Sequence, residues 1–143
     1  MTSEASVEKS TVISSDTLAV DLLCQQLLGE ISARDFGAED IFGIHLGLEE
    51  AFINAIKHGN KKDKNKQISI EYLITDDRFE ITITDEGEGF DPKSVPDPRS
   101  EENLYKTSGR GMLLMRSYMD IIEYNNKGNS VRMVKNRTTH RDG

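Results

Sequence analysis

The chain has 143 residues and 36% hydrophobic content, which suits one domain built around one core. Lys and Arg total 18 against 25 Asp and Glu, and the formal net charge of −7 argues against a general nucleic-acid binder, which would need a basic face. No apolar stretch is long enough to span a membrane and the first ten residues are polar, so no signal peptide is read and a cytoplasmic location is expected.

Residues 1–9 read as a flexible N-terminal tail and STVISS (10–15) as a short strand. Ser15 or Asp16 can cap a helix predicted over 17–33, because a short polar side chain satisfies free N–H groups of the first turn. Leu18, Leu22, Leu23, Leu27, Leu28 and Ile31 recur along it at helical spacing. Cys24 lies in the same run. As the only cysteine it has no internal disulfide partner, and a buried free thiol is expected. RDFGAED (34–40) breaks the helix. A second helix is predicted over 39–58, with Ile41, Ile44, Leu48, Phe52, Ala55 and Ile56 as its apolar stripe and Gly59-Asn60 as its stop. Lys57, Lys61, Lys62, Lys64 and Lys66 then cluster, as suits a solvated loop or a phosphate or partner site.

QISIEYLIT (67–75) alternates, with Ile68, Ile70, Tyr72 and Ile74 on one face. Asp76-Asp77 mark a tight turn, and RFEITITD (78–85) alternates again, so the two runs form a hairpin. Residues 86–108 are irregular and hold all three prolines, Pro92, Pro96 and Pro98. So long a structureless connection inside a compact domain is often a functional lid. GRGMLLMRSYM (109–119) reads as a third helix, and DIIEYNN (120–126) and NSVRMVKN (129–136) as a second hairpin turned at Lys127-Gly128. Residues 137–143 read as a flexible tail, which leaves 10–136 as a single domain.

Three short stretches carry candidate chemistry. Phe79, Ile81 and Ile83 share a face, and a period of two puts Asp85 on that face too. A carboxylate there is costly unless something bonds to it. A ligand amino group would serve, as would a turn that Asp85 caps. Gly87 and Gly89 let backbone approach a flat ligand. Glu50, Asn54 and His58 are spaced four apart on the second helix and share one side, opposite Phe52, Ala55 and Ile56. Any amphipathic helix shows such a polar row. A carboxylate and a carboxamide one turn apart also suit a general base beside a hard cation, since magnesium prefers oxygen ligands. His58 alternatively caps the helix C-terminus. Finally, SGRG (108–111) opens a helix whose first-turn N–H groups attract phosphates, or is a flexible loop-to-helix joint.

In order and spacing, EEAFINAIKHGN (49–60), DEGEGF (85–90) and SGRGMLLM (108–115) resemble the N, G1 and G2 boxes of the GHKL superfamily, across roughly residues 10 to 136. That superfamily holds gyrase-type ATPases, heat-shock chaperones, histidine kinases and mismatch-repair ATPases. Within it the chain looks closest to the small anti-sigma factor serine/threonine kinases. No phosphoacceptor helix pair or transducer domain is visible in the sequence, so a stand-alone domain is expected. The resemblance implies the Bergerat ATP-binding fold: an α/β (α+β) two-layer sandwich, with three main helices on one face of a mostly antiparallel mixed sheet. It implies ATP and Mg²⁺ as cofactors. Glu50 would be the general base and Asn54 the magnesium ligand, with His58 beside the nucleotide. Asp85 would bond the adenine amino group, and Gly87 and Gly89 would line its pocket. Gly109, Arg110 and Gly111 would meet the phosphates, 91–108 would be the ATP lid, and Ser130 would stand where a threonine commonly supports the aspartate. Lys106 and Thr107 stand where an arginine is common, and Asn129 where a threonine is. The implied partners are a sigma factor and a STAS-domain anti-anti-sigma protein, with a homodimer and no direct nucleic-acid or membrane contact. The rival expectation is a nucleotide-sensing anti-sigma module without kinase activity.

Overall fold

The computed structural model describes residues 6–61, 63, 65–87, 118–126 and 128–138. Gly89, Gly109, Arg110, Gly111, the expected lid 91–108 and all but the end of the expected third helix lie outside the described residues.

Strand β1 (Val7–Ser14) leads into helix α1 (Thr17–Ser32) and helix α2 (Ala38–Asn54). A π-turn over Ala55–Gly59 extends α2, followed by strands β2 (Gln67–Ile74), β3 (Arg78–Thr84), β4 (Ile121–Tyr124) and β5 (Ser130–Asn136). They form one five-stranded sheet in the order β1-β2-β3-β5-β4. Every described pairing is antiparallel, so the parallel pair that a mixed sheet requires is not found among these strands. β5 enters between β3 and β4, pairing Thr84 with Ser130 and Tyr124 with Val131. That insertion puts the end of β3 beside the β4–β5 turn, where Asp85 meets residues 125–130.

The alternation read in the two central strands is the alternation of burial. Ile68, Ile70, Tyr72 and Ile74 of β2 and Phe79, Ile81 and Ile83 of β3 are buried under the helices. Each such side chain taken from water stabilises the fold by about 1.5–3 kcal/mol. Opposite the helices the sheet is polar: Arg132 donates to Glu80 at 3.0 Å and to Glu123 at 2.9 Å across three strands.

Helix α1 starts as expected. Asp16 has extended backbone, and its carboxylate accepts from Ala19 N at 3.0 Å. Its buried stripe is Val20, Leu23, Cys24, Leu27 and Ile31. Leu18 and Leu22, expected in the stripe, are 67% and 59% exposed. A turn of 3.6 residues places them on the side opposite that stripe. Burial, with Asp21 and Glu49 nearby, pushes the Cys24 thiol up to about 11, so it stays protonated and inert.

The described residues nearest each end of the chain are held by the fold. β1 begins at Val7, and its whole length pairs with β2. Beyond β5, Arg137 Nε donates to Asp76 O at 2.7 Å. Thr138 donates through its N and its hydroxyl to the buried Asp40 carboxylate, both at 2.7 Å. Polar bonds to α2 and to the β2–β3 turn hold these residues, and hydrophobic periodicity carries no trace of them.

Candidate functional site

One face of α2 is made of small and polar residues. A methyl group on Gly43 would come within 2.8 Å of Tyr118 Cβ, and one on Gly47 within 3.3 Å of Met119 Sδ. Glu50 and Asn54 continue this face towards the C-terminal end of the helix. Glu50 is only 6% exposed. Its Oε2 and the Oδ1 of Asn54 are both buried with no hydrogen-bond partner among the described residues. Burial is the main cause that raises the Glu50 carboxyl from 4.5 to about 7; Lys57 pulls it down and Glu49 pushes it up. A carboxyl poised near neutrality is suited to taking a proton.

The helix does not end as a plain α-helix. Asn60 N donates to Ala55 O at 2.7 Å, five residues back, which widens the last turn. Such π-turns occur often at functional sites. His58 lies exposed on this turn, so the expected row runs from buried Glu50 through half-buried Asn54 to an open end. Asn60, expected only as a stop, is fully buried.

Asp85 stands at the exit of β3, facing this turn. Its Oδ1 accepts from Gly87 N at 2.8 Å, so it does cap the turn that follows the strand. The carboxylate rests on the bare Cα of Gly59, where any Cβ would overlap it, and a Cβ on Gly87 would overlap the Gly59 carbonyl. Asp85 therefore sits within a few ångströms of the end of the Glu50–Asn54 helix because two glycines leave room for it.

The Asp85 backbone is held from the other side by Asn129. Asp85 N donates to Asn129 O at 2.9 Å, and Asn129 Nδ2 donates to Asp85 O at 3.0 Å. Asn125 shapes the turn that presents Asn129: its Oδ1 accepts from the backbone N of Gly128, Asn129 and Ser130. Gly128 adopts φ 82°, which only glycine takes at little cost. The Ser130 hydroxyl, expected to support Asp85, is bonded to the Thr84 hydroxyl at 2.7 Å. Thr84 and Ser130 are cross-strand partners, and β3 alternation points Thr84 away from the face of Asp85. Asn129, a departure from the family pattern, supplies two bonds to the aspartate's own backbone.

The two glycines should respond differently to alanine. At Gly59 the methyl meets a side-chain carboxylate that can swing aside, so Gly59→Ala should keep most of its stability and lose nucleotide affinity. At Gly87 it meets backbone, and overpacking of that kind costs about 1–3 kcal/mol. Thermal denaturation should show a clear loss for Gly87→Ala and a smaller one for Gly59→Ala; the reverse order would contradict this packing.

An antiparallel sheet under helices, with an acid–amide pair on the helix whose last turn meets a strand-end aspartate, is the arrangement of an ATPase domain of the kind the boxes implied. The chain belongs to the histidine kinase-like ATPase domain family, whose model matches residues 13–135. It is similar to the serine-protein kinase RsbW of Bacillus subtilis, 30% identical over 129 residues that cover 81% of this chain and 77% of that protein. With the RsbW of Staphylococcus epidermidis it is 34% identical over 124 residues, covering 81% and 78%. A solved structure of the RsbU and RsbW domains of Rv1364c from Mycobacterium tuberculosis shares the fold, with TM-score 0.62 and 13% identity. That match covers 95% of this chain and 33% of the longer one. Among the described residues, no helix is long and apolar enough to cross a membrane.

Proposed function

We propose that this chain is an ATP-dependent serine/threonine protein kinase that also acts as an anti-sigma factor, and that it phosphorylates a STAS-domain anti-anti-sigma protein. The observation that carries the reading is the pair of buried oxygens on Glu50 and Asn54, one turn apart and without a partner among the described residues, on the helix whose final turn meets Asp85 at Gly59. The chain's similarity to RsbW serine-protein kinases over most of its length supports the same activity.

The orphaned acceptors fit a hard cation and its bound water. Among the described residues no three His, Cys, Asp or Glu side chains form a ready-made metal site, which suits an ion that arrives with the phosphates. Asn54 Oδ1 would hold Mg²⁺, which supplies charge neutralisation at the phosphates when bound. Glu50 Oε2 would accept the proton of the acceptor hydroxyl. Asp85 would accept a hydrogen bond from the adenine amino group, with Gly59 and Gly87 keeping the backbone close beneath it. Such chemistry is mostly positioning and electrostatics. The partners would be a sigma factor and the STAS protein, in the cytoplasm, with the chain as a homodimer. Lys106 and Thr107, in place of the common arginine, favour as second reading a nucleotide-sensing module that switches partners without phosphorylating them.

Incubation with labelled ATP, Mg²⁺ and a STAS-domain protein encoded beside this chain tests the proposal. Transfer of label to a serine or threonine supports the kinase; nucleotide-dependent binding without transfer supports the second reading. The pH profile gives a further check. A base must be ionised to act, so kcat/KM for ATP should rise with pH and level off above about 7, the value to which burial raises Glu50.

A further inference from the structure

We propose that Asn60 is a positioning residue that fixes the Glu50–Asn54 end of α2 against Asp85, so that the metal–phosphate end of the nucleotide and its base are held in one geometry. The proposal rests on the reading of the site given above and adds a residue to it.

Three segments meet at this fully buried side chain. Its backbone N closes the π-turn on Ala55 O at 2.7 Å, which joins it to the end of α2. Its Oδ1 accepts from Glu86 N at 2.8 Å, on the residue after Asp85. Its Nδ2 donates to Gln67 O at 3.1 Å, on the first residue of β2. Glu86 closes the ring, since its Oε2 accepts from Gln67 N at 2.6 Å. Asn60, Gln67 and Glu86 thus form a cycle in which each residue bonds the other two. Asn129 grips Asp85 from the far side, so the aspartate is clamped between two asparagines.

A carboxamide suits this place because it offers one acceptor and a donor group on a short, rigid stem. Alanine would leave the Glu86 N–H and the Gln67 carbonyl without Asn60, and the two elements would be free to shift. Displacements of about 1 Å can cost 10²-fold in rate even when they arise far from the chemistry. A purely structural asparagine would behave otherwise. Its loss would lower thermal stability and leave the folded protein's ligand response unchanged.

The test compares ATP affinity with and without Mg²⁺, by calorimetry at a temperature where circular dichroism shows each full-length variant folded. Asn60→Ala should bind Mg²⁺-free ATP near the parental level, because Asn129 still bonds the Asp85 backbone at both its N–H and its carbonyl. It should lose most of the gain in affinity that Mg²⁺ gives the parent, and kcat should fall on the order of 10²-fold. Glu86→Ala cuts the ring from an exposed side chain and should show the same loss in smaller measure. A folded Asn60→Ala with the parental Mg²⁺ gain overturns the proposal. If Asn60→Ala does not fold, Glu86→Ala decides, and a parental gain there overturns it equally. If the parent itself gains nothing from Mg²⁺, the reading of the site fails first and the proposal falls with it.

Discussion

Glu50→Gln is expected to lower phosphoryl transfer by roughly 10²–10⁴-fold while ATP binds near the parental level. Glutamine keeps the size and polarity of the side chain, so α2 and the place of Asn54 survive. It cannot accept the proton of the acceptor hydroxyl. Because Asp85 and Asn54 are untouched, a sigma-like partner should still be held, and only inactivation of the STAS partner should fail. The variant should also be no less stable than the parent above about pH 7. The Glu50 carboxyl rises from 4.5 to about 7 on folding, so the folded state holds this proton more tightly. The stability this lends is complete below the unfolded value and is lost as pH rises through the folded one. Glutamine carries no charge to strip of water, so the pH dependence from this position should vanish with it. A radiolabel transfer assay and thermal denaturation across pH check both halves. Transfer by Glu50→Gln as fast as by the parent would remove Glu50 as base and favour the binding module.

Much of the fold was legible where physics is local. The β2–β3 hairpin follows from alternation on both sides of Asp76-Asp77, and the cap at Asp16 follows from the chemistry of a helix start. Helical spacing was less decisive in α1, where leucines stand on both sides and the sequence alone does not say which faces the sheet. Of the three boxes the third and half of the second lie outside the described residues, but the placement of Asp85 on the helix side of β3, against Gly59, agrees with period two. What joins the boxes was not legible. Asn60 bonds to Gln67 and Glu86, and Asn129 to Asp85, across separations of 7, 26 and 44 residues. Neither periodicity nor turn chemistry encodes such pairs. The π-turn left no signal either, since its extra residue is set by the bond that Asn60 N makes after the helix has packed.

Asp85→Asn should weaken ATP binding about ten- to a hundred-fold with the fold intact. The loss of one charged hydrogen bond typically costs on the order of 1.5–3 kcal/mol, which is that range of affinity. The fold should survive because most of the backbone bonding here does not involve the carboxylate: Asn129 bonds both the N–H and the carbonyl of residue 85, and Asn60 holds Glu86 N. The asparagine oxygen can still accept from Gly87 N as Asp85 Oδ1 does. Its amide nitrogen would then take the position of Oδ2, where it donates and no longer accepts. An adenine amino group, also a donor, would meet a donor there, whereas the O6 of guanine would meet a partner. Asp85→Asn should therefore lose affinity for ATP and narrow the preference for ATP over GTP. Calorimetric titration of both nucleotides, with circular dichroism to establish the fold, measures each effect. Parental ATP affinity in a folded Asp85→Asn would detach Asp85 from the base. A loss equal for both nucleotides would mean that Asp85 holds the nucleotide without reading its amino group.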